Sequence, residues 1–213
     1  DPEEGELACG TYAKGRLADL TKIVNCVEVA FGDGDLKGYH VIVTAGPTRE
    51  PIDPVRFVSN RSSGKMGYAI ANAAIRRGAK VSLITGPTSL KPPHKAEVHD
   101  VVTAEEMKLA LNEVIKRACS YEVDKHVLVM TAAVADHRPR DAAWTKRKAD
   151  KNKGFNLEMS PNPDILHDFG QTRVKTEAEL ERPLKIVGFA AETGGDKEII
   201  NYAKGKLKAK RCD

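Results

Sequence analysis

From residue 39 onward the chain alternates between two hydrophobic periods. YHVIVTAG (39–46) is a short, continuous apolar and β-branched run ending in glycine, the pattern of a strand covered on both faces. GKMGYAIANAAIRRG (64–78) then returns its apolar residues at helical spacing and is closed by Gly78. KVSLITG (80–86) predicts a second strand. Beyond the Pro-rich KPPHK (91–95), EVHDVV (97–102) predicts another. Thr103, with Glu106 three residues later, makes a capping box that opens a helix over AEEMKLALNEVIKRA (104–118). HVLVMTAAVAD (126–136) predicts a further strand and LKIVGFAAET (184–193) a strand running into a turn. DKEIINYAKGKLKAKR (196–211) predicts a polar, basic helix. Strands alternating with helices predict an α/β fold, a Rossmann-like, mainly parallel sheet with helices on both faces and right-handed crossovers.

Residues 138–183 break this rhythm. They are rich in charge, Pro and Gly, and a functional loop competes there with plain disorder. Residues 1–37 read as a separate leader whose last part, FGDGDLKG (31–38), resembles a linker, leaving 38–213 as the main domain.

Composition narrows the function. At 213 residues with 41% hydrophobic and 30% charged residues, the chain can build one sizeable core and lies near the upper end for a single domain. A net charge of +4, spread along the sequence, suits a phosphate-bearing small ligand. With only 5% aromatics there are few platforms for unpaired bases, so no nucleic-acid partner is expected. Cys9, Cys26, Cys119 and Cys212 are far apart and form no zinc-type pair, which implies a reduced, cytoplasmic protein. No apolar run reaches the roughly 18 residues of a membrane span, and the acidic DPEEGELACG start is unlike a signal sequence, so no membrane partner is expected either. A start at Asp1 suggests a fragment or a processed chain.

In an open parallel sheet the ligand sits beyond the carboxyl ends of the strands. The loop GPTREPIDPVRFVSNRSSGKMG (46–67) carries Arg49, Asp53, Arg56 and Asn60 ahead of a helix expected to begin near Ser62 or Ser63, whose free N–H groups with Lys65 would favour an anion. Simple serine capping with Lys65 in solvent is the competing reading. Neither a Walker A loop nor a Gly-x-Gly-x-x-Gly fingerprint is present, since Met66 follows Gly64-Lys65 and Pro47-Thr48 interrupts the first turn. TAAVADHRPR (131–140) presents Asp136 beside small alanines; a cap or an ion pair is the commoner role of such a residue. WTKRKADK (144–151) stacks Lys146, Arg147 and Lys148, which would close over a polyphosphate or lie on a solvated surface. Lys204, Lys206, Lys208 and Lys210 either offset a helix C-terminus or donate to phosphates.

Taken together, VTAGPTREPIDPVRFVSNRSSGKMG, TAAVADHRP, the KRK run, NPDIL and GFAAET resemble, in order and spacing, the phosphopantothenate-cysteine ligase family across nearly all of residues 39–193. GELACGTYAKGRL (5–17) resembles the end of the phosphopantothenoylcysteine decarboxylase domain that bacteria fuse ahead of the ligase, with Cys9 at the position of its proton-donating cysteine. The rest of that domain and its FMN site are absent from this sequence, so Cys9 is not expected to support that reaction here.

The resemblance implies activation of 4'-phosphopantothenate by CTP to an acyl-cytidylate, with loss of pyrophosphate. L-cysteine then displaces CMP, and Mg2+ accompanies the nucleotide. By position it implies that Asn60 holds the acyl-cytidylate and Lys146 assists its formation. It places Asp136, Pro163, Asp164, Ile165, Leu166, Phe189, Lys206 and Lys210 on CTP, the Pro163 to Leu166 backbone reading the pyrimidine edge. Arg56 and Ala132 fall at substrate positions, Arg56 also as a candidate dimer contact, and no residue is assigned as a metal ligand. The family continues past the lysine helix into a dimer-forming sheet, so a homodimer is implied, or a higher oligomer through the decarboxylase domain, and this chain reads as truncated at Asp213. The alternatives are an NAD(P)-dependent Rossmann-type oxidoreductase and an inactive remnant of the ligase.

Overall fold

The computed structural model describes residues 2–148, 155–192 and 194–213. Its elements run β1 (Glu3–Glu6), β2 (Tyr12–Arg16), α1 (Leu20–Phe31), β3 (Tyr39–Ala45), β4 (Arg49–Pro51), β5 (Phe57–Ser59), α2 (Lys65–Arg76), β6 (Lys80–Thr85) and β7 (Glu97–Asp100). They continue with α3 (Ala104–Ala118), β8 (Lys125–Met130), β9 (His137–Pro139), β10 (Met159–Pro161), α4 (Ile165–Leu180), β11 (Leu184–Gly188) and α5 (Asp196–Ala209). A parallel sheet in the order β11-β8-β3-β6-β7 forms the centre. The chain starts in the middle at β3, builds outward to β7, then returns to the other side of β3 with β8. The loops after β3 and β8 stay bonded to each other, and the crevice opens on the other side of β8, towards β11.

The continuous apolar run of β3 follows from its position. Val41, Val43 and Ala45 face α2, where they meet Tyr68, Ala71 and Ile75. Ile42, one residue out of step, faces the opposite layer, with Met107, Leu111 and Val114 of α3 and Ile165, Phe169 and Leu180 of α4. A period of two presented to two layers leaves no polar side in the sequence. Helix α2 reaches β3 closely enough that a Cβ on Gly67 would lie 2.5 Å from the Ala45 Cβ.

Helix α3 spans the expected residues because its start is chemically local. Thr103 accepts from the Glu106 N–H at 3.2 Å and the Glu106 carboxylate accepts from the Thr103 N–H at 3.3 Å. The buried Glu50 of β4 adds a third acceptor, 3.0 Å from the Ala104 N–H.

Elsewhere the structure departs from the expectations. The strand expected over 126–136 leaves the sheet after Met130, where the chain bonds instead to the loop following β3 through Thr131 N–H to Thr44 O and Ala133 N–H to Gly46 O. The strand expected over 97–102 ends at Asp100. Helix α2 begins at Lys65 with Gly64 as N-cap, at φ 75 and without a side-chain cap, rather than at Ser62 or Ser63. That left-handed turn lies against Thr88, whose Cγ2 a Cβ on Gly64 would approach to 2.8 Å. The stretch 138–183 contains the β9–β10 ribbon and the 16-residue α4, not a single long loop. The leader folds too: β1 and β2 form a hairpin, and α1 lies against α2 through Val29 and an Arg76–Glu28 ion pair of 2.8 Å.

Candidate active site

The crevice holds a cavity of about 560 Å³ at the carboxyl ends of β8 and β11. It is built by the chain after β5, the segment 132–136 after β8, the turn from Asn162 into α4, the residues after β11 and one face of α5. Asn60, Ala132, Asp136, Pro163, Asp164, Ile165, Leu166, Phe189, Lys206 and Lys210 all line it. Sequence positions 150 residues apart thus meet in one space.

Each wall has a local reason. Ala132 and Ala133 bring the backbone against the cavity with little side chain in the way. The Asn60 Nδ2 donates to Val134 O at 2.9 Å and Ala133 O at 3.4 Å, fixing that segment from below. Asp164 is the N-cap of α4 and accepts from the His167 N–H at 3.0 Å, so the first turn of the helix, Ile165 and Leu166, becomes cavity wall. Phe189 leaves β11 with its N–H bonded to Met130 O and its ring partly exposed.

Lys206 and Lys210, four residues apart on α5, share the face that borders the cavity, whereas Lys204 and Lys208 are not among its lining residues. Each has a carboxylate partner: Lys206 pairs with Glu192, and Lys210 lies 3.0 Å from Asp164. Burial raises the Asp164 pKa, but the His167 N–H and the Lys210 ammonium outweigh it and hold the carboxyl below the usual range. The cavity is therefore lined by cations that a phosphate could take over from side-chain carboxylates. Cys212 also lines it, its thiol pushed up by burial.

Arg56 and Lys146 are not brought to this cavity. The Arg56 guanidinium is bound by the buried Asp53, at 3.0 Å through Nε and 2.5 Å through Nη2, and also donates to Arg147 O at 3.1 Å. Asp53 further accepts from the Val55, Arg56 and Arg147 N–H groups. The Arg56 side chain holds the Asp53 carboxyl well below the usual range, against burial, and these N–H groups assist. Lys146 is exposed beside that anchor. Of the basic run 144–151, residues 149–151 lie outside the described residues, as does Thr193 of GFAAET. Lys65 is exposed and Ser62 accepts from the Gly64 N–H at 3.4 Å, a bond within the loop.

Asn162 was not among the residues singled out in the sequence, yet it lines the cavity and makes three hydrogen bonds to its surroundings. The only sequence signal was its place in NPDIL. The first βα turn, where a dinucleotide fingerprint would bind, is occupied by the β4–β5 hairpin, and Pro47 there bridges to Ala133. Cys9 lies exposed in the β1–β2 turn, 2.9 Å from the Thr11 hydroxyl, which lowers its pKa. Among the described residues no group of three or more His, Cys, Asp or Glu is placed to hold a metal ion, and no helix is long and apolar enough to cross a membrane.

Fold and cavity together define a Rossmann-like α/β domain with a cation-lined cavity at the carboxyl ends of β8 and β11. The chain belongs to the family described as the DNA/pantothenate metabolism flavoprotein C-terminal domain, which it matches over residues 36–213. It is 43% identical over 217 residues to the coenzyme A biosynthesis bifunctional protein CoaBC of Bacillus subtilis (strain 168), and 42% identical over 215 residues to that of Escherichia coli (strain K12). All of the chain is covered in both comparisons and 49% of each relative, so it spans about half the length of the curated relatives it matches. The crystal structure of the C-terminal domain of a CoaBC superposes with a TM-score of 0.66 at 39% identity, over 84% of this chain and 76% of that one. A Cab2 variant in complex with phosphopantothenate-cysteine shares the fold, with a TM-score of 0.65 at 15% identity over 91% of this chain and 76% of that one.

Proposed function

We propose that this chain is a phosphopantothenate-cysteine ligase unit that forms 4'-phosphopantothenoylcysteine from 4'-phosphopantothenate, CTP and L-cysteine. The observation that carries the reading is the convergence of Asn60, Asp136, the Pro163 to Leu166 turn, Phe189, Lys206 and Lys210 on one cavity. The family membership and the CoaBC relatives support it.

A carboxylate does not acylate an amine at neutral pH, because hydroxide is a poor leaving group. The pantothenate carboxylate therefore attacks the α-phosphate of CTP, the bond to the β-phosphate breaks, and pyrophosphate leaves. The amine of cysteine then forms the C–N bond as the acyl C–O bond breaks and CMP departs with the electron pair. Lys206 and Lys210 bind the phosphates by exchanging Glu192 and Asp164 for phosphate oxygens, and Phe189 covers the base. The backbone from Pro163 to Leu166 reads the cytosine edge. Arg56, through Asp53, orders the loop that carries Lys146, which lies outside the cavity. Mg2+ would arrive with the nucleotide and neutralise charge on its phosphates, since the described residues offer no group of three or more His, Cys, Asp or Glu to hold it. Homodimerisation belongs to the same reading; Val55 and Phe57 expose apolar surface at the β4–β5 hairpin.

Initial rates of pyrophosphate release with each of the four nucleoside triphosphates test this. Release is expected with CTP only when phosphopantothenate is present. Release that ignores phosphopantothenate would overturn the ligase reading, and equal rates with ATP and CTP would overturn the base-reading role of Pro163 to Leu166.

A further inference from the structure

We propose that Asn162 is a positioning residue for the nucleotide, acting as a clamp that sets Asp136 and the base-reading turn at a fixed distance from each other; this rests on the CTP reading above. Three of its four polar groups are committed to that task. The backbone N–H donates to Asp136 O at 2.8 Å, and Nδ2 donates to Ala135 O at 2.7 Å. Oδ1 accepts from Arg138 Nη1 at 2.9 Å, and the same nitrogen reaches Pro161 O at 3.2 Å.

The orientation of the carboxamide is forced, because a carbonyl can only accept and a guanidinium can only donate. Two successive carbonyls, of Ala135 and Asp136, are thus tied to one side chain and its own backbone. The Ala135 N–H is held from the other side by the hydroxyl of the buried Thr48 at 3.0 Å. With both backbone groups of Ala135 and the Asp136 carbonyl bonded, the backbone that carries Asp136 at the cavity is held in place. On the other flank Asn162 is joined directly to Pro163, whose ring fixes φ, so the same clamp sets the start of the wall formed by Asp164, Ile165 and Leu166. Arg138 acts through Asn162, from β9, and is not among the cavity-lining residues.

The decisive variants are Asn162→Asp and Arg138→Ala in the 213-residue chain. Asp at position 162 keeps the acceptor for Arg138 but sets a carboxylate oxygen against the Ala135 carbonyl, so the clamp opens while the ribbon stays paired. The expected result is a KM for CTP raised about tenfold to 100-fold, as small misplacements of a binding group cost, a narrowed preference for CTP over UTP, and an unchanged KM for cysteine. Arg138→Ala is expected to give a smaller rise of the same kind, and no further rise when added to Asn162→Ala, since the two act as a unit. Titration calorimetry of CTP into the unaltered chain comes first. No binding there overturns the nucleotide reading itself. Binding that the variants retain in full, a uniform rise in every KM, or additive effects of Arg138 and Asn162 would each overturn the clamp. Should the Asn162 variants not fold, Arg138→Ala decides by its CTP-to-cysteine KM ratio alone.

Discussion

Asn60 has two chemically opposite ends, and the structure has already committed one of them. With Nδ2 donating to Val134 O at 2.9 Å and Ala133 O at 3.4 Å, the carbonyl oxygen Oδ1 is the end that the proposed ligase reaction would use. An acceptor cannot hydrogen-bond the oxygens of a phosphate or an acyl carbonyl, but it can receive an N–H, such as that of an incoming amine. Asn60→Ala is therefore expected to leave CTP binding and the first pyrophosphate release intact while slowing amide formation by about 10²-fold or more, the loss typical of removing one aligned polar group. Quenched-flow measurement of pyrophosphate and of product from the same reaction separates the two steps. If the variant lost CTP binding, the side chain would belong to the nucleotide and not to the second step. Lys146 and Arg56 illustrate the opposite case. Their residue types suggest phosphate contacts, but the buried Asp53, whose role spacing alone does not reveal, holds Arg56 and the Arg147 backbone away from the cavity.

At the scale of elements, what could be read from the sequence was what local chemistry decides. The capping box fixed α3 to the residue, and the inner strands of the sheet were visible because burial on both faces leaves them mostly apolar. Helix α4 was not visible, because its buried positions include Gly170 and Thr176 as well as Ile165, Phe169 and Leu180, so its apolar stripe is broken. Gly170 is there for contact: a Cβ would fall 1.8 Å from the Lys210 carbonyl oxygen, where the end of α5 crosses α4. Because Lys210 borders the cavity, this one crossing links the packing of two helices to the ligand site. Gly170→Ala is expected to cost about 1 to 3 kcal/mol, as overpacking does, and to weaken CTP binding at the same time by displacing Lys210. Urea unfolding and CTP titration on the same sample check both. An unchanged unfolding midpoint would mean that α4 and α5 separate at no cost, and that the crossing does not position the lysine.

Across the whole molecule, the sheet has chemically different ends. The carboxyl ends open into the cavity, while the amino ends enclose a buried chain of polar groups: His126 Nδ1 to His40 Nδ1 at 3.2 Å, His40 Nε2 to Ser82 at 2.9 Å, and Ser82 to Glu97 at 3.4 Å. Tyr121 also donates to Glu97 at 3.0 Å, Arg117 pairs with it at 2.8 Å, and Lys80 lies over the Tyr121 ring. Because Ser82 donates to the carboxylate, His40 must donate to Ser82 through Nε2 and accept from His126 through Nδ1. The chain has room for one proton on each ring. A second proton on His40 would set two N–H groups against each other between two buried rings. Burial first, then His126 and Lys80, push the His40 pKa down to about 3, and burial followed by Arg182 lowers that of His126. In the unfolded chain both rings titrate near about 6.5, so on acidification the unfolded state takes up protons that the folded state refuses. Stability is thus complete above about pH 6.5 and falls below it, by up to about 1.4 kcal/mol per pH unit for His40, and His126 adds to the loss in the same direction. For His40 the loss continues until the folded ring itself titrates, near pH 3. Urea unfolding between about pH 5 and 6.5, above most of the range where carboxylates titrate in the unfolded chain, reads the histidines, and a His40 variant separates its share from those of His126 and His94. His40→Gln is expected to reduce the slope of stability against pH by the share of one histidine, whatever it does to stability at pH 7.5; equal slopes in the two proteins would mean that His40 is protonated as readily inside the fold as outside it.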